Sequence, residues 1–178
     1  MSDIQGMAEL IAKFKAMGGD VDAVMTRAVR QQAEVVRGSA VKRCPVNHGE
    51  LRDSIHTMVK PDDGAIVGEV YTNAGHAAYV EFGTGPIGAA NHSGVSPNVQ
   101  MSYHTDSWWF PVDDPTDAAR YGWPTFTTKD GTILALTSGQ AAQPFLYPAV
   151  MENRLKVIRG IQGYFGRELA KYCQGGSS

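Results

Sequence analysis

The sequence predicts an α+β fold, with a mainly antiparallel β-sheet packed with a long N-terminal helix and a C-terminal helix. Three observations carry that expectation. Apolar residues recur with a helical period over 21–42 and again over 151–169. Turn residues at Pro61-Asp62-Asp63-Gly64 and Asp130-Gly131 split two β-rich stretches into hairpins. Nothing repeats as strand–helix–strand, the signature of a parallel sheet. The 178 residues fit a single domain over 1–178. Gly 20 and Pro 9 gather largely between 83 and 124, which predicts a loop-rich insertion at about 86–124.

In chain order, a short helix is expected from about Ala8 to Met17, stopped by Gly18-Gly19. Asp20 caps a second helix that begins at Val21, with Asp22 favourably placed in its first turn. At ~100° per residue, Val21, Val24, Met25, Ala28, Val29, Val36 and Ala40 share one broad arc. Arg27, Arg30, Glu34 and Arg37 lie on another, read as a solvated face. The helix runs to about Lys42, and Pro45 ends it. Ile55–Lys60 and Ile66–Thr72 read as two strands of a hairpin around Pro61-Asp62-Asp63-Gly64. Phe126–Lys129 and Thr132–Thr137 flank Asp130-Gly131, the strongest short hairpin signal in the chain.

The last helix starts near Pro148, a good first-turn residue. Met151, Leu155, Ile158, Ile161, Phe165 and Leu169 recur along it at three- and four-residue steps. Gly160, Gly163 and Gly166 interrupt it, each at about 1 kcal/mol relative to Ala. Its C-terminal half therefore packs closely on another backbone, orders on assembly, or frays. Gly175-Gly176-Ser177-Ser178 reads as a flexible tail.

Hydrophobic residues make up 43% and charged residues 19%, the balance of a soluble globular chain. The net charge of −2 excludes a generally basic nucleic-acid coat, though not a local basic face. Residues 1–60 carry a net +2, residues 61–140 a net −7 and residues 141–178 a net +3. An acidic middle between basic ends suits self-assembly by complementary faces, or a surface that must not hold polyanions; uneven surface charge is the plainer reading. No apolar run approaches the ~18–20 residues of a membrane span, so no membrane partner is expected. Met1-Ser2-Asp3-Ile4 lacks the order of a signal peptide, which points to synthesis in the cytoplasm. Cys44 and Cys173 are too few for a disulfide scaffold and read as reduced thiols.

Catalytic signatures are sparse. The histidines His48, His56, His76, His92 and His104 form no metal-binding pair on a helix, and no Cys-x-x-Cys exists. Neither a metal nor a cofactor is expected. Ser102, Ser107 and Ser138 lack a nucleophile elbow. Gly83-Thr84-Gly85-Pro86-Ile87-Gly88 resembles a phosphate loop only superficially: no Lys follows, and Pro86 removes an N–H donor. It reads as a turn. Glu50, Asp53 and Glu81 offer carboxylates for acid–base hydrolysis, against the simpler reading of surface acids beside a helix start. Trp108-Trp109-Phe110 reads as a core or subunit-interface anchor rather than a base-stacking platform, because it sits in the acidic stretch.

Three segments together resemble a tail-component family of long-tailed double-stranded DNA phages. The first is Cys44-Pro45-Val46-Asn47-His48-Gly49-Glu50-Leu51-Arg52-Asp53-Ser54-Ile55, similar to the family's Pro-Val-x-x-Gly-x-Leu-Arg-x-Ser-Ile signature. The second is Ala78-Tyr79-Val80-Glu81-Phe82-Gly83-Thr84-Gly85, similar to Tyr-x-Glu-Phe-Gly-Thr. The third, Gly139-Gln140 with Gln143-Pro144-Phe145-Leu146-Tyr147-Pro148-Ala149, resembles the family's lead into its C-terminal helix. Order and spacing agree over about residues 20–170. His48 stands where Thr is usual, and 86–124 is longer and more aromatic than in short members.

The resemblance implies a structural virion protein, without enzymatic activity, of the tail-completion or neck type. It implies a homo-oligomeric ring, commonly sixfold, between head portal and tail tube, touching other neck and tail proteins while DNA passes unbound. Its expected location is the virion. Pro45, Gly49, Leu51, Arg52, Tyr79, Glu81, Phe82, Gly83, Thr84, Trp108, Trp109, Pro144, Phe145 and Pro148 become structural or interface candidates. Arg52 and Glu81 are a candidate charge-assisted pair, Phe82 and Phe145 candidate core anchors. Asp113, Asp114 and Asp117 are candidates to face a channel, where they would repel phosphate. A carboxylate-dependent hydrolase, requiring a convergent acidic cleft, and a nucleic-acid-binding accessory protein, requiring salt-dependent DNA affinity, stay open beside it.

Overall fold

The computed structural model describes residues 7–16, 20–46 and 49–175, and these described residues form seven helices and five strands. Gly18-Gly19, His48 and the tail beyond Gly175 lie outside the described residues, as do the side chains of residues 7, 10 and 172–175, Cys173 included. The elements begin with α1 (Met7–Ala16), α2 (Val21–Arg43), α3 (Glu50–Asp53), β1 (Ile55–Asp62) and β2 (Ala65–Thr72). Then come α4 (Ala77–Phe82), α5 (Gly85–Ala90), β3 (Trp108–Pro111), α6 (Pro115–Arg120), β4 (Thr125–Thr127), β5 (Ile133–Thr137) and α7 (Leu146–Gly175). The fold is α+β, and every paired strand is antiparallel. The strands divide into a two-stranded sheet, β1-β2, and a three-stranded sheet in the order β3-β5-β4. No helix among the described residues is long and apolar enough to cross a membrane. The chain separates into two compact units, one of residues 1–74 with 145–178 and one of residues 75–144.

The first unit is built on α2. Asp20 accepts a hydrogen bond from the Ala23 N–H at 2.9 Å, satisfying one of the orphan donors of the first turn. The face that α2 buries is Val21, Val24, Ala28, Val29, Gln32, Ala33, Val36 and Ala40. It packs against both the β1-β2 hairpin and α7. On the hairpin side Gly68 makes the approach possible, since a Cβ there would stand 2.7 Å from Val29 Cγ1. On the α7 side Gly160 does the same, because a Cβ would run into the Gln32 side-chain amide. Of Gly160, Gly163 and Gly166, Gly160 is thus the one that packs closely on a neighbour. Phe145, Ala149 and Phe165 are fully buried, and Phe14 meets Phe165 edge-on at 6.1 Å to pin α1.

Two sequence expectations change in detail. The hairpin turn is the two residues Asp63-Gly64, both with positive φ (44° and 77°), while Pro61 and Asp62 belong to β1. A two-residue turn leaves Asp62↔Ala65 as its hydrogen-bonded pair. Pro61↔Ile66 is then a non-hydrogen-bonded pair, so the missing N–H of Pro61 costs the ladder nothing. Second, the apolar stripe of α7 is only half used. Phe165 is buried and Ile158, Ile161 and Leu169 partly so, but Met151 is 47% and Leu155 65% exposed. The stripe sinks into the core around Phe165, where Phe14 of α1 and Val21 and Val24 of α2 pack on it.

Glu34 fastens α2 to β1. Its carboxylate accepts from the Thr57 hydroxyl at 2.5 Å and from Arg37 Nε at 2.7 Å. Those bonds, Thr57 first, hold its pKa below the usual glutamate range. Being depressed in the folded state, this pKa contributes stability above the ordinary glutamate value that disappears as pH falls through the lowered one. In Thr57→Val the Glu34 titration, followed by NMR, should move up toward the ordinary value; an unmoved titration would refute the contact. For the helix pair, Gly160→Val should cost about 1–3 kcal/mol by overpacking against Gln32. Gly166→Ala meets nothing within 4 Å and should add up to about 1 kcal/mol in denaturant titrations.

Candidate assembly surface

Most of the motif residues turn out to be hinges and clasps of the fold itself. In the first motif, Gly49 sits at φ 91° and caps α3, a backbone angle closed to most side chains. Leu51 and Ile55 are buried, and Pro45 is half-buried just beyond α2. Ser54 Oγ donates to the Leu51 carbonyl at 2.7 Å and lies 2.6 Å from Thr72 Oγ1, tying the loop to the end of β2. Arg52 is exposed, its Nε 3.4 Å from Asp53 Oδ1, a solvent-screened contact of small energy. Cys44 is buried at the end of α2.

The second unit closes on the other two motifs. The Thr84 N–H donates to the Gln140 carbonyl at 2.9 Å and the Gln140 N–H returns to the Thr84 carbonyl at 3.1 Å. Gln140 Nε2 reaches the Tyr79 carbonyl at 2.8 Å, and the Gln143 N–H donates to the Val80 carbonyl at 2.8 Å. Gly139, at φ 90°, lies so close to Thr84 that a Cβ would strike its carbonyl. Gly83, at φ 75°, is also closely packed, since a Cβ there would stand 2.8 Å from both Ala142 N and Gln140 O. The N–H groups of Thr84, Ile87 and Gly88 are all consumed in backbone bonds, so this loop is a clasp and not a phosphate cradle. Tyr79 is exposed, Glu81 buried at 4% exposure and Phe82 partly buried, its carbonyl accepting from the Tyr103 hydroxyl at 2.9 Å. Phe145 is fully buried at the head of α7, with Pro148 half-buried in its first turn, whereas Pro144 closes the second unit.

The insertion is more ordered than its composition predicts. Trp108-Trp109-Phe110 lies in β3, an edge strand that the sequence reading missed, paired with β5 through Trp109↔Leu136 and Phe110↔Ala135. Alternation sends neighbouring aromatic residues to opposite faces. Trp108 packs on the clasp at Gly85, and Phe110 meets Trp123 edge-on at 5.2 Å over the buried Ala135. Trp109 points the other way, is 49% exposed, and stands edge-to-face with Phe126 at 6.4 Å. The signal that locates this strand is the alternation of Trp108 to Pro111, read against the hairpin at Asp130-Gly131.

Asp113, Asp114 and Asp117 are all exposed. Asp114 also caps α6, accepting from the Thr116 N–H at 2.8 Å, and that bond holds its pKa below the usual aspartate range. Glu50 and Asp53 are exposed on α3 in the first unit, while Glu81 belongs to the second. His92 tilts against Tyr103 and His104 against Trp108. Among the described residues, no group of three or more His, Cys, Asp or Glu is placed to hold a metal ion.

Residues 8–83 match the model of the HK97-gp10-like family, described as "Bacteriophage HK97-gp10, putative tail-component". The match takes in α1 through α4, hence the first motif and most of the second. It supports a phage tail-component family for this chain, as the motifs imply, and with that a structural part in the tail or neck. No curated protein and no solved structure matches the chain.

The clasp makes a direct prediction. Gly139→Ala should destabilise the second unit by at least about 2 kcal/mol, from positive-φ strain and the collision with Thr84. Gln140→Ala should cost about 1 kcal/mol for one lost hydrogen bond. All three tryptophans lie in this unit, so their fluorescence in denaturant reports it directly; unchanged midpoints would count against the clasp.

Proposed function

We propose that the protein is a tail-completion or neck connector that assembles as a homo-oligomeric ring, sixfold as in the family it resembles, between head portal and tail tube. The observation that carries this reading is the family match over 8–83 continued by a third motif whose Gln140 is hydrogen-bonded to Thr84 of the second. The motif residues are spent on turns, caps and backbone bonds, the work of a scaffold that presents surfaces to neighbours. An acidic second unit and a basic C-terminal helix supply each copy with two unlike surfaces, the requirement for contacts that propagate around a ring. On this reading Asp114 and Asp117 of α6 face the bore, where carboxylates keep passing DNA from being gripped. The protein then acts in the virion with other neck and tail proteins as partners.

Quantitative mass spectrometry of purified particles should find the chain at a fixed copy number that is a multiple of six, and a deletion should leave full heads and separate tails unjoined. Joined, infectious particles from the deletion, or particles without the chain, would overturn the assignment.

A further inference from the structure

Among the exposed apolar side chains are two groups, one in each unit, that lie on surfaces of opposite charge. The first lies on the N-terminal half of α7. Val150, Met151 and Leu155 are exposed there, and at ~100° per residue they span about 140° of the helix, with Arg154 between them. Arg159 and Lys156 continue the exposed surface, and Glu152 is already engaged with Arg43. The α7 helix holds five cationic side chains against two carboxylates, a net +3.

The second surface is the open side of the β3-β5-β4 sheet. Trp109 is paired with Leu136, and Pro111 and Phe126 both with Leu134, so all five share one face. The opposite face is closed by Phe110, Trp123 and the buried Ala135. On the open face Trp109 and Phe126 are 49% and 58% exposed. Asp113 follows β3 at the end of the sheet where β5 begins, beside the turn that carries Asp130. This unit holds six carboxylates against two cationic side chains, a net −4.

We infer that the occupant of each surface is the other one on a second copy of this chain: α7 of one subunit lies across the open sheet face of its neighbour. Leu155 and Met151 meet Trp109 and Phe126, and Arg154 and Arg159 meet Asp113. Charge selects this pairing over the symmetric ones. Two sheet faces would bring −4 against −4, and two α7 helices +3 against +3, so like charges oppose either twofold contact. Because the surfaces differ, the contact is head-to-tail and propagates until it closes. Asp113, one of three acids expected at the bore, is assigned here to the subunit contact instead. The inference deepens the ring reading and rests on it.

Sedimentation velocity over a concentration and salt series tests it on the full chain. The wild type should self-associate, more weakly as salt rises. Leu155→Asp and Trp109→Ala should each weaken association about tenfold or more while circular dichroism and melting stay unchanged. Mixed one to one, they should form dimers and nothing larger, since the mixture retains one intact contact per pair. Asp113→Lys should weaken association, and Arg154→Glu in the same chain should restore it. A monomeric wild type, variants that associate normally, a mixture that stays monomeric, or failure of the charge swap would each overturn the inference. The copy number in particles is read independently, so this contact can fail while the ring reading stands.

Discussion

A single antiparallel bridge, Thr84 with Gln140, holds the second unit shut. Between those two positions the chain makes α5, β3, α6, β4 and β5, elements too short to be stable alone. Closing a long loop costs entropy that such pieces cannot repay singly. The bridge repays it with paired backbone bonds, the Gln140 side chain on Tyr79, and the Gln143–Val80 bond. Two glycines allow the strands to come that close. Chemistry that looks like ligand binding in the sequence, a run of glycines with a threonine, is therefore consumed in holding the chain to itself.

The first unit solves a different problem, that of packing a helix on both a hairpin and another helix at once. A helix that must do this buries a wide face, and α2 buries eight residues. Small residues at the contact points decide how near the partners come, Gly68 on the hairpin and Gly160 on α7. The buried Gln32 is the polar exception, set against Gly160. Electrostatics here is local and superficial, as with Glu34 between Thr57 and Arg37.

What is left outside these two cores bears on function. A monomer that exposes Met151 and Leu155 on one helix and Trp109 and Phe126 on one sheet face leaves apolar area in the water. A component of a phage tail or neck has neighbours to cover such area. Unlike charge on the two surfaces gives each a reason to choose the other.

Much of this was legible in the residues. Asp20, the period of α2, the hairpins and the long last helix follow from local propensity and side-chain period, which a linear reading captures. The three motifs pointed to the phage tail-component family for the same reason, since turns and caps demand particular residues at fixed spacing. Tertiary structure decided the rest. Met151 and Phe165 read alike along α7, and what α1 and α2 bring against Phe165 makes one a surface and the other a core residue. Trp108 and Trp109 are the same residue in the same strand, yet the pleat packs one, half-buried, against Gly85 and presents the other to solvent. Period and propensity are properties of a segment, whereas burial belongs to whatever the rest of the chain brings against it.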